Sequence, residues 1–147
     1  MAARWLRKLV EDALTASEAL QLAGDIGYHD FGDPLITGLV DKVQGLANIS
    51  TEKPAYCRVE HRLEGCPWHR DTGTGSHMAW CKFSAGVVLT PQSEYTGGGF
   101  YFRDQPETAL HHYRDLIIYD DAVENEHTVA RHRGNRRTLL MFFVEGV

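Results

Sequence analysis

The chain has 147 residues, of which 43% are hydrophobic, and this size and composition suit one domain with a core of its own. Its formal net charge is -5 and its pI is about 5.9, so there is no general electrostatic case for binding nucleic acid or an anionic membrane. No apolar run approaches the roughly 20 residues of a membrane span, and the amphipathic, acid-containing N-terminus is not typical of a signal peptide.

The three cysteines, Cys57, Cys66 and Cys81, show no tight pairing along the sequence. We interpret them as reduced thiols, which favours a cytoplasmic location. A zinc site is poorly supported, because the chain lacks a C-x-x-C pair.

The first third of the chain is predicted to be helical. Apolar residues recur at helical spacing over residues 5–14, at Trp5, Leu6, Leu9, Val10 and Leu14. Thr15 and Glu18 fit a capping box, which predicts a second helix that ends at Gly24.

Residues 25–33 are rich in turn formers, and Asp33 followed by Pro34 predicts the start of a third helix. The buried face of this helix would carry Leu35, Ile36, Leu39, Val40, Val43 and Leu46.

From residue 55 onward, short β-prone runs alternate with turn signals. The predicted strands are Tyr56–Arg62, Trp80–Thr90, Gly99–Arg103, Asp115–Tyr119 and Thr138–Val144. Many short strands of this kind favour a sandwich, barrel or jelly roll. Because the helical third is too short for its own core, we expect one α+β domain over 1–147, with helical support over 1–50 and a β core over 55–144.

A cluster of potential metal ligands begins with His69 and Asp71. On an extended backbone these two side chains share a face, so both can reach one metal ion, and His127 is our candidate for a third ligand. Two His and one carboxylate, with open positions left, are the ligand set of non-haem Fe(II) oxygenases. The His-x-Asp pair is weak on its own, since roughly half a pair is expected by chance and a hydrogen-bonded pair at a strand end is the alternative.

The order of motifs along the chain carries more information than the pair. After His69-Arg70-Asp71 come Tyr95-Thr-Gly-Gly-Gly, an apolar strand over 116–119, the distal His127 and Gly134-Asn-Arg136 at the last strand. This order resembles the 2-oxoglutarate- and Fe(II)-dependent oxygenases, most closely their prolyl-4-hydroxylase-like branch. The resemblance implies a double-stranded β-helix (a cupin-like jelly roll) in which His69, Asp71 and His127 bind the iron.

The same resemblance implies a basic residue that binds the distal carboxylate of 2-oxoglutarate, and a guanidinium can grip a carboxylate through two hydrogen bonds. The usual ten-residue spacing after His127 points to Arg137. The usual Gly two residues before and hydroxyl two residues after point to Arg136, flanked by Gly134 and Thr138. Adjacent strand residues face opposite sides, so only one arginine can face the inside of the barrel; we favour Arg136 and keep both open.

The implied reaction consumes 2-oxoglutarate and O2, releases succinate and CO2, and hydroxylates a substrate. The branch implies a prolyl residue of a peptide or protein, while a small molecule stays open and nothing indicates the oligomeric state. One alternative is a cupin-like metal-binding or isomerase domain without oxygen chemistry. Another is a structural domain with a degenerate site.

Several other residues receive narrower predictions. Gly97, Gly98 and Gly99 are expected to form a tight turn, and Trp68 could wall the metal site. The residues interpreted as surface are His111, His112 and His132, and those that could line the cavity are Arg58, His61 and Lys82.

Overall fold

The fold was obtained as a computed structural model that describes residues 6–30, 32–47, 56–61, 63–71 and 80–143. Antiparallel β-structure dominates this part of the chain, with two α-helices and two short 3₁₀ turns, Gln92–Glu94 and Val123–Asn125. The strands are β1 (Arg7–Val10), β2 (Gly27–Tyr28), β3 (Tyr56–His61), β4 (Cys66–His69), β5 (Phe83–Val88), β6 (Tyr95–Gly97), β7 (Phe100–Phe102), β8 (Leu116–Asp120), β9 (His127–Val129), β10 (His132–Gly134) and β11 (Arg137–Phe143). The helices are α1 (Ala16–Ala23) and α2 (Pro34–Ala47).

Three sheets organise the strands. The large sheet has six antiparallel strands in the order β1-β8-β5-β11-β3-β2. A three-stranded sheet has the order β4-β9-β7, and β10 pairs with β6 in a two-stranded ribbon. The predicted α+β domain is confirmed in outline as a mostly β chain with few helices, although β1 and β2 lie within residues 1–50, where helical support was expected.

The two faces of the large sheet carry different side chains, because side chains alternate along each strand. One face packs on the helices to form the main core, where Ile118 of β8 and Met141 of β11 meet Leu22 of α1 and Val43 of α2. The other face turns Ile117 and Tyr119 towards the three-stranded sheet, called the small sheet below. There they pack with a second apolar cluster of Phe100, Phe102 and Val129.

The two helices begin where their capping residues predict. Thr15 accepts a hydrogen bond from the backbone of Glu18 at 3.1 Å, and the Glu18 carboxylate accepts one from the backbone of Thr15 at 2.9 Å, which completes a capping box. The Asp33 carboxylate accepts a 2.9 Å hydrogen bond from the Leu35 backbone at the start of α2. Of the predicted buried face of α2, Ile36, Leu39, Val40 and Val43 are buried, Leu35 is half-buried and Leu46 is exposed.

The predicted helix over residues 5–14 is wrong. Residues Arg7–Val10 form strand β1, which pairs with β8 from Arg7↔Tyr119 to Val10↔Leu116. Strand β8 lies next to the edge of the large sheet and would otherwise expose its backbone hydrogen-bonding groups, so pairing decided the conformation over the local apolar spacing. Leu9 is accordingly exposed, and Trp5 lies outside the described residues.

The predictions were more accurate for the strands, although several short strands were missed. The five predicted β runs overlap β3, β5, β7, β8 and β11, with Arg62 and Val144 outside the described residues. The short strands β2, β4, β6, β9 and β10 were not predicted. Residues 72–79, which follow Asp71, lie outside the described residues. No helix among those that are described is long and apolar enough to cross a membrane.

Candidate metal centre

The three-stranded sheet brings the two predicted histidine ligands together. His69, at the end of β4, lies opposite His127, at the start of β9, and their ring centroids are 4.4 Å apart. Asp71 follows β4 in a turn and places its Oδ1 atom 3.4 Å from the Nε2 atom of each imidazole. The three residues proposed from the sequence therefore share one site.

Both imidazoles are held so that the same ring nitrogen faces this site. The Nδ1–H group of His69 donates to the carbonyl oxygen of Pro67 at 2.8 Å, and that of His127 donates to the carbonyl of Asn125 at 2.9 Å. Because Nδ1 donates to a carbonyl oxygen in each ring, Nε2 is the nitrogen that faces Asp71, and it can bind a cation once the cation displaces any proton that it carries. The carbonyl two residues before each histidine thus selects the tautomer that a metal ligand needs.

The carboxylate is oriented from the large sheet. Ser84 Oγ on β5 donates to Asp71 Oδ2 at 2.6 Å, and Tyr119 Oη on β8 donates to the same oxygen at 2.9 Å. These two donors hold Oδ2 and leave Oδ1 towards His69 and His127. Neither Ser84 nor Tyr119 was identified from the sequence. The only available signal was that each places a hydroxyl group on one face of an otherwise apolar strand, along which side chains alternate between the two faces.

The electrostatics of the cluster favour a charged carboxylate. Burial alone would raise the pKa of Asp71, but hydrogen bonds from His127, His69 and Ser84 outweigh it and hold that pKa well below its usual range. The hydrogen bond to Asp71 likewise raises the pKa of His69 to about 10. Burial, with the Asp71 charge nearby, raises the pKa of Tyr119 well above its ordinary value, so its hydroxyl remains a donor.

The donor set fits a divalent cation of the first transition row. The three ligand atoms all lie within 4.8 Å of one another. With metal–ligand bonds of about 2.1 Å, adjacent ligands of a six-coordinate ion lie about 3 Å apart, close to the 3.4 Å seen between each Nε2 and Asp71 Oδ1. Two imidazoles and one carboxylate could thus bind iron and leave further coordination positions for other ligands.

A cavity of about 260 Å³ lies between the large and small sheets and opens beside the three ligands. Its apolar wall comes from both sheets and includes Phe100, Ile117, Val129, Leu140 and Phe142. Its polar lining, apart from the three ligands, comprises Arg58, Glu60, Cys66, Arg70, Ser84, His111, Tyr119, Arg136 and Thr138. A small polar ligand could therefore bind next to the metal ligands while its remaining surface contacts apolar side chains.

The two candidate arginines face opposite sides of the large sheet. Arg136 is 3% exposed, lines the cavity and donates from Nε to the carbonyl oxygen of Gly98 at 3.0 Å. Arg137 points to the helical side, where its Nη1 atom donates to the carbonyl oxygen of Ala23. Thr138, two residues after Arg136, lines the same cavity.

A glycine turn positions Arg136. Gly97 and Gly98 have φ values of +73° and +75°, which few other residues adopt, and the Gly98 backbone N–H bonds the carbonyl oxygen of Arg131 at 3.1 Å. A Cβ atom on Gly98 would lie 2.8 Å from Arg136 Cδ. The predicted tight turn therefore brings its backbone against the buried guanidinium.

Two histidines interpreted as surface residues are not exposed. His111 lines the cavity, packs edge-on against Phe100 and donates from Nε2 to the carbonyl oxygen of Asp115 at 2.9 Å, while burial lowers its pKa to about 4. His132 is 7% exposed because it lies on β10, which pairs with β6, and not in a loop. His112 is exposed, as predicted.

The other residues noted in the sequence take mixed positions. Arg58 lines the cavity, whereas His61 bonds the carbonyl oxygen of Gly134 at 3.3 Å and Lys82 pairs with Asp121 at 3.5 Å. Trp68 lies beneath the Arg103 guanidinium, 5.0 Å away, and does not line the cavity. All three cysteines are reduced thiols, in agreement with the sequence-based interpretation.

Three solved structures with a similar fold are named as prolyl hydroxylases. A viral collagen prolyl hydroxylase from Paramecium bursaria Chlorella virus-1, in its 2OG complex, is 12% identical, with a TM-score of 0.74 and 96% of each chain covered. A Pseudomonas putida prolyl-4-hydroxylase is 16% identical, with a TM-score of 0.72 over 95% of this chain and 86% of that chain. A prolyl hydroxylase from Trichoplax adhaerens, solved with a hypoxia inducible factor peptide fragment, is 13% identical, with a TM-score of 0.70 over 95% and 83%.

The chain thus has the fold of the 2OG-Fe(II) oxygenases and prolyl hydroxylases, and the resemblance seen in the sequence is confirmed at the level of the fold. No protein-family model and no curated protein matches the chain.

Proposed function

We propose that the protein is an Fe(II)- and 2-oxoglutarate-dependent dioxygenase that hydroxylates its substrate. The observation that carries this proposal is the placement of His69, Asp71 and His127 around one point of a cavity that also contains the buried Arg136. A metal site with open positions and a fixed cation in the same cavity suits a 2-oxo dicarboxylate, which needs both.

In this proposal the iron is held by Nε2 of His69, Nε2 of His127 and Oδ1 of Asp71. Ser84 and Tyr119 keep the carboxylate in place through its other oxygen, and the carbonyl groups of Pro67 and Asn125 keep the imidazoles in the required tautomer. Such outer hydrogen bonds typically change metal affinity by 10- to 100-fold.

Arg136 is the proposed partner of the distal carboxylate of 2-oxoglutarate, and Thr138 offers a hydroxyl beside it. The Nε atom of Arg136 donates to the carbonyl oxygen of Gly98, which anchors the guanidinium in the cavity wall, and a guanidinium can grip a carboxylate through its terminal nitrogens. Arg137 is assigned no contact with 2-oxoglutarate, because it bonds the end of α1 on the far side of the sheet.

The bound iron and 2-oxoglutarate supply the oxidising power, with O2 consumed and succinate and CO2 released. The protein determines where in the cavity the oxidation takes place. Phe100 and Val129 exclude water from the side of the small sheet, and Ile117, Leu140 and Phe142 do so from the large sheet. These walls favour reaction on a substrate C–H bond brought to the metal side of the cavity.

The proposed substrate is a prolyl residue of a peptide or protein, with a small molecule as the alternative. This choice is supported by the prolyl hydroxylases among the solved structures, one of which was solved with a peptide fragment. We further propose that residues 1–147 act as one catalytic domain with a double-stranded β-helix core.

An anaerobic titration tests the cofactors. Fe(II) and then 2-oxoglutarate are added to metal-free protein, and the weak visible absorption band of a chelated 2-oxo acid is expected. The variants His69→Ala, Asp71→Ala and His127→Ala should lose the band, whereas the exposed control His112→Ala should keep it. Folded wild-type protein that binds iron but gives no band would overturn the proposal in favour of a cupin-like domain without oxygen chemistry.

A second experiment tests the substrate. Proline-containing peptides are incubated with the iron- and 2-oxoglutarate-loaded enzyme and O2, and the products are analysed by mass spectrometry. The proposal expects the mass of one oxygen atom on a prolyl residue, with equimolar succinate. Succinate formation stimulated by a small molecule, and by none of the peptides, would favour the alternative.

A further inference from the structure

Strand β3 places an ion pair in the cavity wall. Arg58 and Glu60 are two residues apart and share the cavity face of the large sheet, and Arg58 Nη2 lies 3.2 Å from Glu60 Oε2. The two side chains are 35% and 20% exposed, so the pair lies between the interior of the cavity and solvent.

The pairing of β3 with β11 locates Glu60 next to the proposed co-substrate contacts. Glu60 pairs with Thr138, and Arg58 pairs with Leu140, two residues further along β11. Side chains directly opposite on antiparallel strands have Cβ atoms about 5 Å apart, and diagonal neighbours are about 7 Å apart. Glu60 is therefore adjacent to Thr138 and diagonal to the position of Arg136.

A carboxylate at this position opposes the binding of an anion. A negative charge diagonal to Arg136 would repel the distal carboxylate of a bound 2-oxoglutarate, because the partly buried cavity screens charges less than water does. Arg58, on the same wall and within ion-pairing distance, offsets that charge. With the two charges balanced, Arg136 contributes one net positive charge at this end of the cavity.

We propose that Arg58 and Glu60 form a charge-balancing pair that determines how strongly the cavity selects a 2-oxo dicarboxylate over a 2-oxo monocarboxylate. The inference rests on the proposed function, since it assumes that 2-oxoglutarate binds between the metal ligands and Arg136. It assigns both residues a specificity role, acting on the ligand through charge and not through the chemistry of the reaction.

The test compares two ligands that differ only at the distal end. 2-Oxoglutarate and 2-oxopentanoate have the same chain length, but the second has a methyl group in place of the distal carboxylate. Isothermal titration calorimetry with Mn(II)-loaded protein measures both dissociation constants for wild type, Glu60→Gln, Arg58→Gln and the double variant. Asp12→Asn is the matched control, because it neutralises one partner of another 3.2 Å arginine–carboxylate pair, on Arg114, whose residues do not line the cavity.

The expected result is a change in the ratio of the two dissociation constants. Relative to wild type, Glu60→Gln should shift the ratio of the two dissociation constants by about three- to ten-fold in favour of 2-oxoglutarate. Arg58→Gln should shift the ratio by a similar factor in favour of 2-oxopentanoate. The double variant should return near the wild-type ratio, and Asp12→Asn should not move it. Because both ligands are measured on one preparation, any misfolded fraction cancels in the ratio.

Two results would overturn the inference. One is that both dissociation constants stay at their wild-type values in both single variants, which would make the pair purely structural. The other is that both constants change by the same factor, which leaves the ratio unchanged and would place the effect at the metal. Failure of metal-loaded wild-type protein to bind 2-oxoglutarate at all would instead refute the proposed function, so the two failures are distinguishable.

Discussion

Tyr119 Oη donates a 2.9 Å hydrogen bond to Oδ2 of Asp71, the carboxylate whose Oδ1 lies 3.4 Å from both His69 and His127. Tyr119 belongs to the large sheet, whereas the two histidines belong to the small one. The carboxylate thus connects the two sheets at the candidate metal centre, and its orientation depends on both.

The variant Tyr119→Phe should weaken metal binding by about 10-fold or more, because Asp71 loses one of two donors to Oδ2 while the ring remains in place. Competition with a chelator of known affinity, monitored with Co(II) or Mn(II), measures the change. The control is Tyr101→Phe on β7, whose side chain lies on the opposite face from Phe100 and Phe102. Equal metal affinity in the two variants would contradict a role for the Tyr119 hydroxyl.

The variant Arg136→Ala should weaken 2-oxoglutarate binding about ten-fold or more, since a charge-assisted contact is typically worth about 1.5–3 kcal/mol. Arg137→Ala should leave this affinity within about two-fold of wild type. It should instead lower the free energy of unfolding by about 1–3 kcal/mol, because the carbonyl oxygen of Ala23 loses its guanidinium partner. Calorimetric titration and urea unfolding separate the two effects, and the opposite ranking in the titration would exchange the assignments.

The variant Gly98→Ala should affect the same guanidinium from the other side. The new methyl group would lie 2.8 Å from Arg136 Cδ and 3.1 Å from Tyr95 Cε2, at a backbone φ of +75° that disfavours alanine. We expect a stability loss of about 1–3 kcal/mol together with weaker 2-oxoglutarate binding.

Gly45→Ala in α2 is the matched control for Gly98→Ala. Among the described residues, nothing outside the helix's own backbone lies within 4 Å of its Cβ position, so Gly45→Ala should stabilise the protein by about 0.5–1 kcal/mol and leave ligand binding unchanged. Thermal unfolding and calorimetry measure both quantities. A Gly98→Ala protein with wild-type affinity would show that Arg136 does not depend on this turn.

His111 should make the metal-free protein sensitive to acid. Burial lowers its pKa from about 6.5 to about 4, so the unfolded chain binds a proton in this interval that the folded chain does not. The stability associated with neutral His111 is fully present above about pH 6.5 and is lost as the pH falls towards 4. Between pH 7.5 and 4.5 the wild type should lose about 2 kcal/mol more than His111→Gln.

Urea unfolding at each pH, with chelator present, measures this difference. His112→Gln, which changes the adjacent exposed imidazole, is the control and should follow the wild-type curve. Parallel curves for wild type and His111→Gln would show that His111 is protonated as readily in the folded protein as in the unfolded chain.

Local signals in the sequence located several features of the fold correctly. The capping box at Thr15 and Glu18 and the Asp33-Pro34 pair each act within one helical turn, so neighbouring residues suffice to place the starts of α1 and α2. The apolar run that became β11 is likewise long enough to be recognised as a strand without knowledge of its partners.

Features that depend on distant partners were missed. Residues 7–10 have helical apolar spacing, but they became a strand because β8 offered an unpaired backbone edge more than 100 residues later in the chain. The strand over His127–Val129 has only three residues and depends on pairing with β4 and β7 on both sides. His132 was placed at the surface for the same reason, since its burial comes from pairing with β6.

The sequence by itself determined which residue types were available for a metal site and in what order, because His-x-Asp, a distal His and a basic strand are visible without coordinates. Only the tertiary structure decided that these residues meet, that Ser84 and Tyr119 orient Asp71, and that Arg136 faces the cavity while Arg137 does not. The physical reason is that a strand's period of two leaves one of two faces undetermined until its neighbours in the sheet are known.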